Sequence, residues 1–238
     1  MKISIINSSI RKDGRTAWLT NHFVNGLNST NKYEINQYFL CDWNLTECDG
    51  CTKCWFKTKG ICKFNDDFSK EISSIIKSDI IIFASPIWVG GGTYLLKIFI
   101  ERLFSTLQPY FSKINSDKYG HYRNENNFIK TFLISTCALP GTHNFEPLIT
   151  HIKSLDYLCN FTYSGELLKP QALELQLLNM KQIKILETNC FNTGKYFLSG
   201  DKRYFDFVEN VARPFTKLND YINFCNNNFS QLINHDKY

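Results

Sequence analysis

Four cysteines lie close together in the first third of the chain, with the spacing C-x2-C-x2-C-x7-C. They are Cys48, Cys51, Cys54 and Cys62. Three closely spaced thiolates with a fourth nearby can supply the four ligands of a cubane iron–sulfur cluster. Zinc also accepts four thiolates, although zinc sites more often separate two CxxC pairs by a longer loop. Free thiols or a redox-active disulfide are the third interpretation, and a structural disulfide is the weakest.

A candidate anion site follows the first predicted strand, in the segment "NSSIRKDGRTAWL". Hydroxyls, positive charge and a turn glycine precede a predicted helix, and a helix N-terminus with exposed amides binds anions. A phosphate is the favoured anion, and a solvated turn with a threonine cap is the alternative. The segment is neither GxGxxG nor GxxxxGKS, which argues against a dinucleotide fingerprint and a nucleoside triphosphatase. The residues concerned are Ser8, Ser9, Arg11, Gly14, Arg15 and Thr16.

Two further loops follow apolar runs and could form the walls of a binding site. In "SPIWVGGGTYLLK", three glycines allow the backbone to approach a planar ligand, and Trp88 offers a flat apolar surface. A flexible turn before a helix is the alternative. The loop "STCALPGTHNF" is small and polar, and its His143 is the one histidine kept as a candidate. The other histidines are expected to be surface or packing residues: His22, His121, His151 and His235.

Alternating strand and helix patterns must position these loops. The predicted strands cover residues 2–7, 33–40, 79–86, 128–136 and 161–168. Segments of helical periodicity lie between them, which predicts a parallel sheet with helices on both faces. In such a sheet ligands bind beyond the carboxyl ends of the strands, where the three loops begin.

The helical predictions extend through the rest of the chain. A helix is predicted over 93–107, and Asp66 and Asp67 are interpreted as helix-start residues. Residues 171–238 change to a mainly helical pattern without a linker. We expect them to form a C-terminal helical extension, part of the same domain or of a subunit interface, whose polar end at 226–238 frays.

The composition is that of a folded globular protein. The chain has 238 residues, a hydrophobic fraction of 43% and a mild net charge of +5. We expect one domain, with neither nucleic acid nor a membrane as a partner. Nine cysteines and no recognisable signal peptide predict a cytoplasmic protein in which clustered cysteines serve metal binding or catalysis.

The loops, in their order along the chain, resemble the flavodoxin-like NAD(P)H-dependent FMN reductase family and, within it, the iron–sulfur flavoprotein branch. The similarity lies in "NSSIRKDGRTA", "CDGCTKC…C…NDD", "ASPIWVGGGTYLLKIFIERL" and "ISTCALPGTHNFEPL". The resemblance implies an α/β flavodoxin-like, doubly wound, five-stranded parallel sheet. Residues 1–170 would be the FMN-binding domain, including a cysteine-rich loop at 47–65.

The resemblance also implies a set of cofactor contacts. The FMN phosphate would be held by Ser9, Arg11, Gly14, Arg15 and Thr16. The isoalloxazine would lie against Pro86, Ile87, Trp88, Val89 and Gly90, with Thr136 and Cys137 at its other side. The four cysteines would hold a 4Fe–4S cluster near a dimer interface. The chain departs from the family pattern at Ser8, Ile10 and Val89, where a glycine, a proline and a second aromatic residue are common.

The predicted function is that of an FMN-dependent oxidoreductase. Its electron donor would be NAD(P)H or ferredoxin, and its acceptor a small molecule such as a quinone or a flavin. A homodimer or homotetramer is the family expectation. The alternatives are a non-enzymatic FMN electron carrier and a fold relative whose cysteines bind zinc. No side chain is predicted to be catalytic, because hydride transfer to a flavin requires no protein acid or base.

Overall fold

A parallel sheet lies at the centre of the fold. The structure is a computed structural model and describes residues 1–113, 118–123 and 128–234. The strands are β1 (Lys2–Asn7), β2 (Glu34–Phe39), β3 (Ile80–Pro86), β4 (Leu107–Lys113), β5 (Tyr119–Tyr122), β6 (Ile129–Thr136) and β7 (Phe161–Lys169). The helices are α1 (Arg15–Asn28), α2 (Lys53–Phe56), α3 (Asp67–Ile75), α4 (Tyr94–Arg102), α5 (Glu146–Leu158), α6 (Met180–Tyr196), α7 (Arg203–Ala212) and α8 (Leu218–Asn234).

Five strands form the central sheet in the order β2-β1-β3-β6-β7, and every neighbouring pair is parallel. This order confirms the predicted flavodoxin-like, doubly wound α/β fold. The chain moves outward from β1 to β2 and then returns past β1 to β3. The loops after β1 and β3 therefore leave the sheet at a topological switch point, where such sheets bind their ligands.

Two hydrophobic cores cover the two faces of the sheet. On one face α3, α4 and α5 pack against strand side chains such as Phe83 and Leu133. On the other face α1, α6 and α7 pack against side chains such as Ile82 and Phe132. Because both faces are covered, the central strands read as continuous apolar runs rather than as alternating patterns.

Helix α6 crosses α1 at two glycines. A β carbon on Gly26 of α1 would lie 1.9 Å from the carbonyl oxygen of Phe191, and one on Gly194 of α6 would lie 1.9 Å from that of Phe23. Real β carbons do not approach an oxygen so closely, so the two backbones touch only because both side chains are absent. The C-terminal segment thus packs directly onto α1, which covers one face of the sheet.

The strands β4 and β5 form a separate antiparallel hairpin that the sequence pattern does not predict. The helix expected over 93–107 ends instead at Arg102, and a short 3₁₀ turn leads into β4. Gln108 holds the hairpin closed by donating its side-chain amide to the carbonyl of Tyr122 at 2.8 Å. Local periodicity does not reveal the hairpin, because β5 has only four residues and the pairing is irregular between Leu107 and Ser112.

The end of the chain also differs from the prediction. Residues 226–234 were expected to fray, but they belong to α8. Tyr221 and Cys225 lie one turn apart on α8 and are buried against the rest of the fold. Packing against the fold thus ends at Cys225, and the helix continues through residues 226–234 with nearly all of its side chains exposed. Residues 235–238, including His235, lie outside the described part of the chain.

Within the three described ranges, no helix is both long enough and apolar enough to cross a bilayer.

Candidate functional site

The loop after β1 turns tightly into α1. The hydroxyl of Ser9 donates to the carbonyl of Arg11 at 2.9 Å, and the amide of Gly14 donates to the same carbonyl at 3.1 Å. A β carbon on Gly14 would lie 3.0 Å from that oxygen, so the turn favours glycine. Gly14 is the N-cap of α1, and no side chain of the described residues caps this helix. The first amides of α1 are therefore available to an anion.

Arg15 contributes a positive charge to this loop. The residue is half-buried at the start of α1. Burial lowers the pKa of its guanidinium, and the positive charge of Arg11 lowers it further. An anion beside both arginines would offset these two effects, because a nearby opposite charge favours the protonated form. The charges of the loop therefore fit a phosphate.

Asn7 is a candidate site residue that the sequence pattern did not single out. It ends β1 and is fully buried. Its side-chain oxygen accepts a hydrogen bond from the amide of Ser9 at 3.0 Å, but its Nδ2 has no partner among the residues described. An unpaired buried donor beside an anion loop fits a ligand oxygen. The available clue was a polar residue at the end of an otherwise apolar strand.

Hydrogen bonds join the three loops at the carboxyl edge of the sheet. The hydroxyls of Thr16 and Thr136 lie 2.7 Å apart and are buried. The amide of Ile87 donates to the carbonyl of Thr136 at 2.8 Å, and the hydroxyl of Thr93 donates to the carbonyl of Ser8 at 2.9 Å. The three segments that the sequence separates by tens of residues thus form one continuous surface.

The glycine-rich loop after β3 is a tight turn with an exposed apolar tip. Trp88 and Gly91 exchange two backbone hydrogen bonds, at 2.8 and 3.1 Å. Val89 and Gly90 between them have φ angles of +48° and +77°. Such a φ is strained for a β-branched residue, because its β carbon crowds the following carbonyl. The Trp88 and Val89 side chains are 70% and 96% exposed, so they form an open apolar surface.

The third loop begins where β6 ends. Pro86 and Thr136 pair in register at the ends of β3 and β6. Cys137 follows, buried, with its amide donating to the carbonyl of Lys169 at 3.0 Å. Burial raises the pKa of its thiol, which disfavours a reactive thiolate. His143 lies exposed in a 3₁₀ turn farther along this loop.

The four clustered cysteines line one pocket. Its remaining walls come from Asp49, Thr52, Lys63, Phe64, Arg102, Phe104 and Ser105. Burial raises the pKa of Cys54, and the thiols of Cys62, Cys48 and Cys51 raise it further. The four thiols therefore lie around one space. In the three described ranges, no three or more His, Cys, Asp or Glu residues are grouped so that they could hold a single metal ion.

A buried ion pair forms one wall of the cysteine pocket. The guanidinium of Arg102 is 1% exposed and binds both carboxylate oxygens of Asp66, at 2.6 and 3.0 Å. Arg102 also donates to the carbonyl of Thr46 at 2.6 Å and to the hydroxyl of Ser69 at 3.1 Å. Its Nε has no hydrogen-bond partner within the described part of the chain. The arginine thus connects the cysteine loop to α3 and α4.

Asp66 has two functions, of which the sequence predicts one. It caps α3 as expected, by accepting a hydrogen bond from the amide of Ser69 at 3.1 Å. It also accepts from the amide of Thr46 at 3.0 Å and from Arg102. Burial alone would raise the pKa of Asp66, but these hydrogen bonds hold it at about 2. Asp66 is therefore ionised as part of a buried network.

The hairpin packs against the helix that carries Cys54. The ring of Trp55 lies 5.0 Å from that of His121 in β5. Trp55 also stacks on Phe104, in the turn before β4, with 4.1 Å between ring centroids, and its indole nitrogen donates to the carbonyl of Phe104 at 2.9 Å. Arg123, just past β5, donates to the carbonyl of Cys54 at 3.1 Å. A cavity of about 430 Å³ lies beside these rings and reaches Cys48.

The cysteine pocket and the three-loop surface lie at opposite ends of α4. The glycine-rich turn precedes Tyr94, the first residue of α4, whereas Arg102, its last residue, lines the cysteine pocket. A helix of nine residues is about 13.5 Å long. The two candidate sites are therefore distinct and are joined by one rigid element.

The chain is similar in sequence to flavin enzymes. The model of the NADPH-dependent FMN reductase family matches residues 1–123. An iron–sulfur flavoprotein of Methanocaldococcus jannaschii is 31% identical over 102 residues, which is 43% of this chain and 51% of that protein. An iron–sulfur flavoprotein of Clostridioides difficile is 33% identical over 110 residues, 45% of this chain and 48% of that protein. The chain thus spans about half the length of these curated relatives.

The fold is similar to that of solved structures. An azoreductase from Bacillus anthracis superposes with a TM-score of 0.61 at 12% sequence identity. The superposition covers 83% of this chain and all of that one. At this level of identity the likeness concerns the fold, and it agrees with the sheet order described above.

Proposed function

Because the chain belongs to the NADPH-dependent FMN reductase family, we propose that it is an FMN-dependent oxidoreductase. Its donor would be NAD(P)H or ferredoxin, and its acceptor a small molecule such as a quinone or a flavin. The observation that carries the proposal is the junction of three loops at one sheet edge. One loop leaves the first amides of α1 available to an anion, and another carries an exposed apolar turn.

The three loops would contact different parts of FMN. The phosphate of FMN would be held by the first amides of α1 with Ser9, Arg11, Gly14, Arg15 and Thr16. Asn7 adds a buried donor that the described chain leaves unpaired. The isoalloxazine would lie against Pro86, Ile87, Trp88, Val89 and Gly90, with Thr136 and Cys137 at its other side. Bound FMN would supply hydride acceptance and release of single electrons.

An anaerobic titration tests this proposal. The purified chain is expected to bind FMN, and the flavin absorbance is expected to bleach when NADPH or NADH is added. Steady consumption of the nicotinamide should follow when a quinone is supplied. A chain that takes up no FMN would contradict the proposal. Bleaching without steady turnover would favour the second candidate, an electron carrier.

We propose further that the cysteine pocket holds a 4Fe–4S cluster. Two observations support it: the four thiols line one pocket, and two relatives are named iron–sulfur flavoproteins. Arg102, which is paired with Asp66, lines the same pocket and fixes one of its walls. A structural zinc ion is the alternative, but among the described residues the cysteines are not grouped so that they could hold a single ion. Exposed apolar side chains on the neighbouring hairpin, Tyr110 and Phe111, support the further proposal of a homodimer or homotetramer.

Metal analysis after anaerobic purification separates the cluster from zinc. We expect about four iron atoms and four acid-labile sulfides for each chain. Replacing Cys62 with alanine should remove most of the iron, because one of the four ligands is lost. The control is Cys190→Ala, which changes a buried cysteine of α6 far from the pocket and should keep the iron. Stoichiometric zinc without sulfide would contradict the cluster.

A further inference from the structure

The C-terminal helix α8 contacts the loop that follows β6. The hydroxyl of Tyr221 donates a hydrogen bond to the carbonyl of Ala138, and the tyrosine is 2% exposed. Cys225 lies one turn farther along the same face of α8 and is also buried. The family model ends at residue 123, so α8 belongs to the part of the chain that it does not describe.

A buried ion pair fixes the segment from which α8 begins. Lys169 at the end of β7 contacts Glu174 at 2.6 Å, and both side chains are at most 2% exposed. The carboxylate of Glu174 also accepts hydrogen bonds from the amides of Phe215 and Thr216, at 3.1 and 3.0 Å. These amides lie just before α8. The start of the helix is therefore fixed to the carboxyl edge of the sheet.

The same segment supports the backbone of the third loop. The amide of Gln171 donates to the carbonyl of Leu139 at 3.2 Å, and that of Ala172 donates to the carbonyl of Cys137 at 2.9 Å. Together with Tyr221, three successive carbonyls of the loop accept hydrogen bonds from the C-terminal part of the chain. The loop conformation thus depends on residues after β7.

We propose that α8 supports the third loop of the flavin site of its own chain, and that Tyr221 is a positioning residue that holds residues 137–140 in the flavin-binding conformation. This inference rests on the proposed function. Without the hydroxyl, the carbonyl of Ala138 loses its donor and the loop populates other conformations. The apparent affinity then falls in proportion to the competent fraction.

The test replaces Tyr221 with phenylalanine and measures flavin binding to the full chain. We expect the dissociation constant of FMN to rise about fivefold, the effect of losing one buried hydrogen bond. The affinity for riboflavin, which lacks the phosphate, should fall by the same factor, because Tyr221 supports the loop beside the flavin ring. The absorption spectrum of the bound flavin should also shift.

The control is Tyr204→Phe, which removes the hydroxyl of a mostly buried tyrosine on α7. Burial raises the pKa of Tyr204, as it does that of Tyr221, but Tyr204 packs against Phe197 rather than against the third loop. The flavin affinity of the Tyr204→Phe variant should equal that of the wild type, even if the free energy of unfolding of the variant is lower. A general loss of stability would instead weaken binding in both variants.

The outcomes separate the inference from the proposed function. Wild-type chain that binds no flavin overturns both. Wild type and Tyr221→Phe that bind flavin equally tightly overturn the inference alone. Hydrogen exchange on the wild type gives a second measurement that needs no variant: FMN should slow exchange in residues 137–140 and at the start of α8. Protection confined to residues 8–16 and 86–92 would also overturn the inference.

Discussion

Replacing Arg102 with methionine is expected to lower the free energy of unfolding by about 3–5 kcal/mol. The variant leaves the carboxylate of Asp66 buried with its two hydrogen bonds to Arg102 removed. It also frees the carbonyl of Thr46, which precedes the cysteine motif by two residues. Denaturant unfolding of the wild type and the variant measures the difference.

A double-mutant cycle shows whether the pair itself is responsible. Arg102→Met together with Asp66→Asn should cost less than the sum of the single changes, because neither partner then remains as an uncompensated buried charge. The surface control is Arg203→Met, which breaks an exposed pair with Asp201 and should change stability by less than about 1 kcal/mol. Additive single effects would contradict the assignment of a coupled buried pair.

The same pair gives the protein a defined acid response. The pKa of Asp66 is about 2, below its ordinary value of 3.8. A carboxylate with a depressed pKa stabilises the fold above the unfolded-state pKa, and this contribution is lost as the pH falls through the folded value. Asp66→Asn should therefore flatten the dependence of unfolding free energy on pH between about 4 and 2.

Replacing Arg15 with glutamine is expected to weaken FMN binding about 10- to 100-fold. A hydrogen bond to a charged group contributes about 1.5–3 kcal/mol, and the half-buried guanidinium is screened less than a surface charge. The loss should be specific to the phosphate, so the affinity for riboflavin should change little. Fluorescence titration of the two flavins gives both dissociation constants.

Lys12 provides the matched control for Arg15. It lies in the same loop and carries the same charge, but it is exposed and paired with Asp42 at 2.5 Å. Lys12→Gln should change FMN affinity only slightly. Equal losses for FMN and riboflavin in Arg15→Gln would show that the arginine supports the loop rather than the phosphate.

The parallel sheet could be predicted because its signals are local. Buried strands such as Ile80–Pro86 are short apolar runs, and they alternate with helices whose apolar residues recur every three or four positions. The order of the loops along the chain indicated the family, which the family model confirms. Gly14 and Gly90 could be recognised because a tight turn or a positive φ limits which residues fit.

The hairpin, the end of α8 and the partners of buried polar groups could not be predicted in the same way. Asp66 and Arg102 are 36 residues apart, and each alone is compatible with an ordinary surface position on a helix. Asn7 differs from its apolar neighbours, but only the fold shows that its Nδ2 is buried without a partner in the described chain. Tyr221 lies 83 residues from the carbonyl that it binds.

For this protein, the sequence by itself determined which chemical groups are present and how they are grouped: four thiols in one segment, a candidate anion loop and a glycine-rich turn. These features depend on residues no more than about fifteen positions apart, and the covalent chain alone keeps such residues close together. Tertiary structure alone decided that the cysteine pocket and the three-loop surface lie at opposite ends of α4, and that a C-terminal helix supports the third loop. Such relations depend on long-range packing and on pairing of buried polar groups, and neither leaves a local pattern in the sequence.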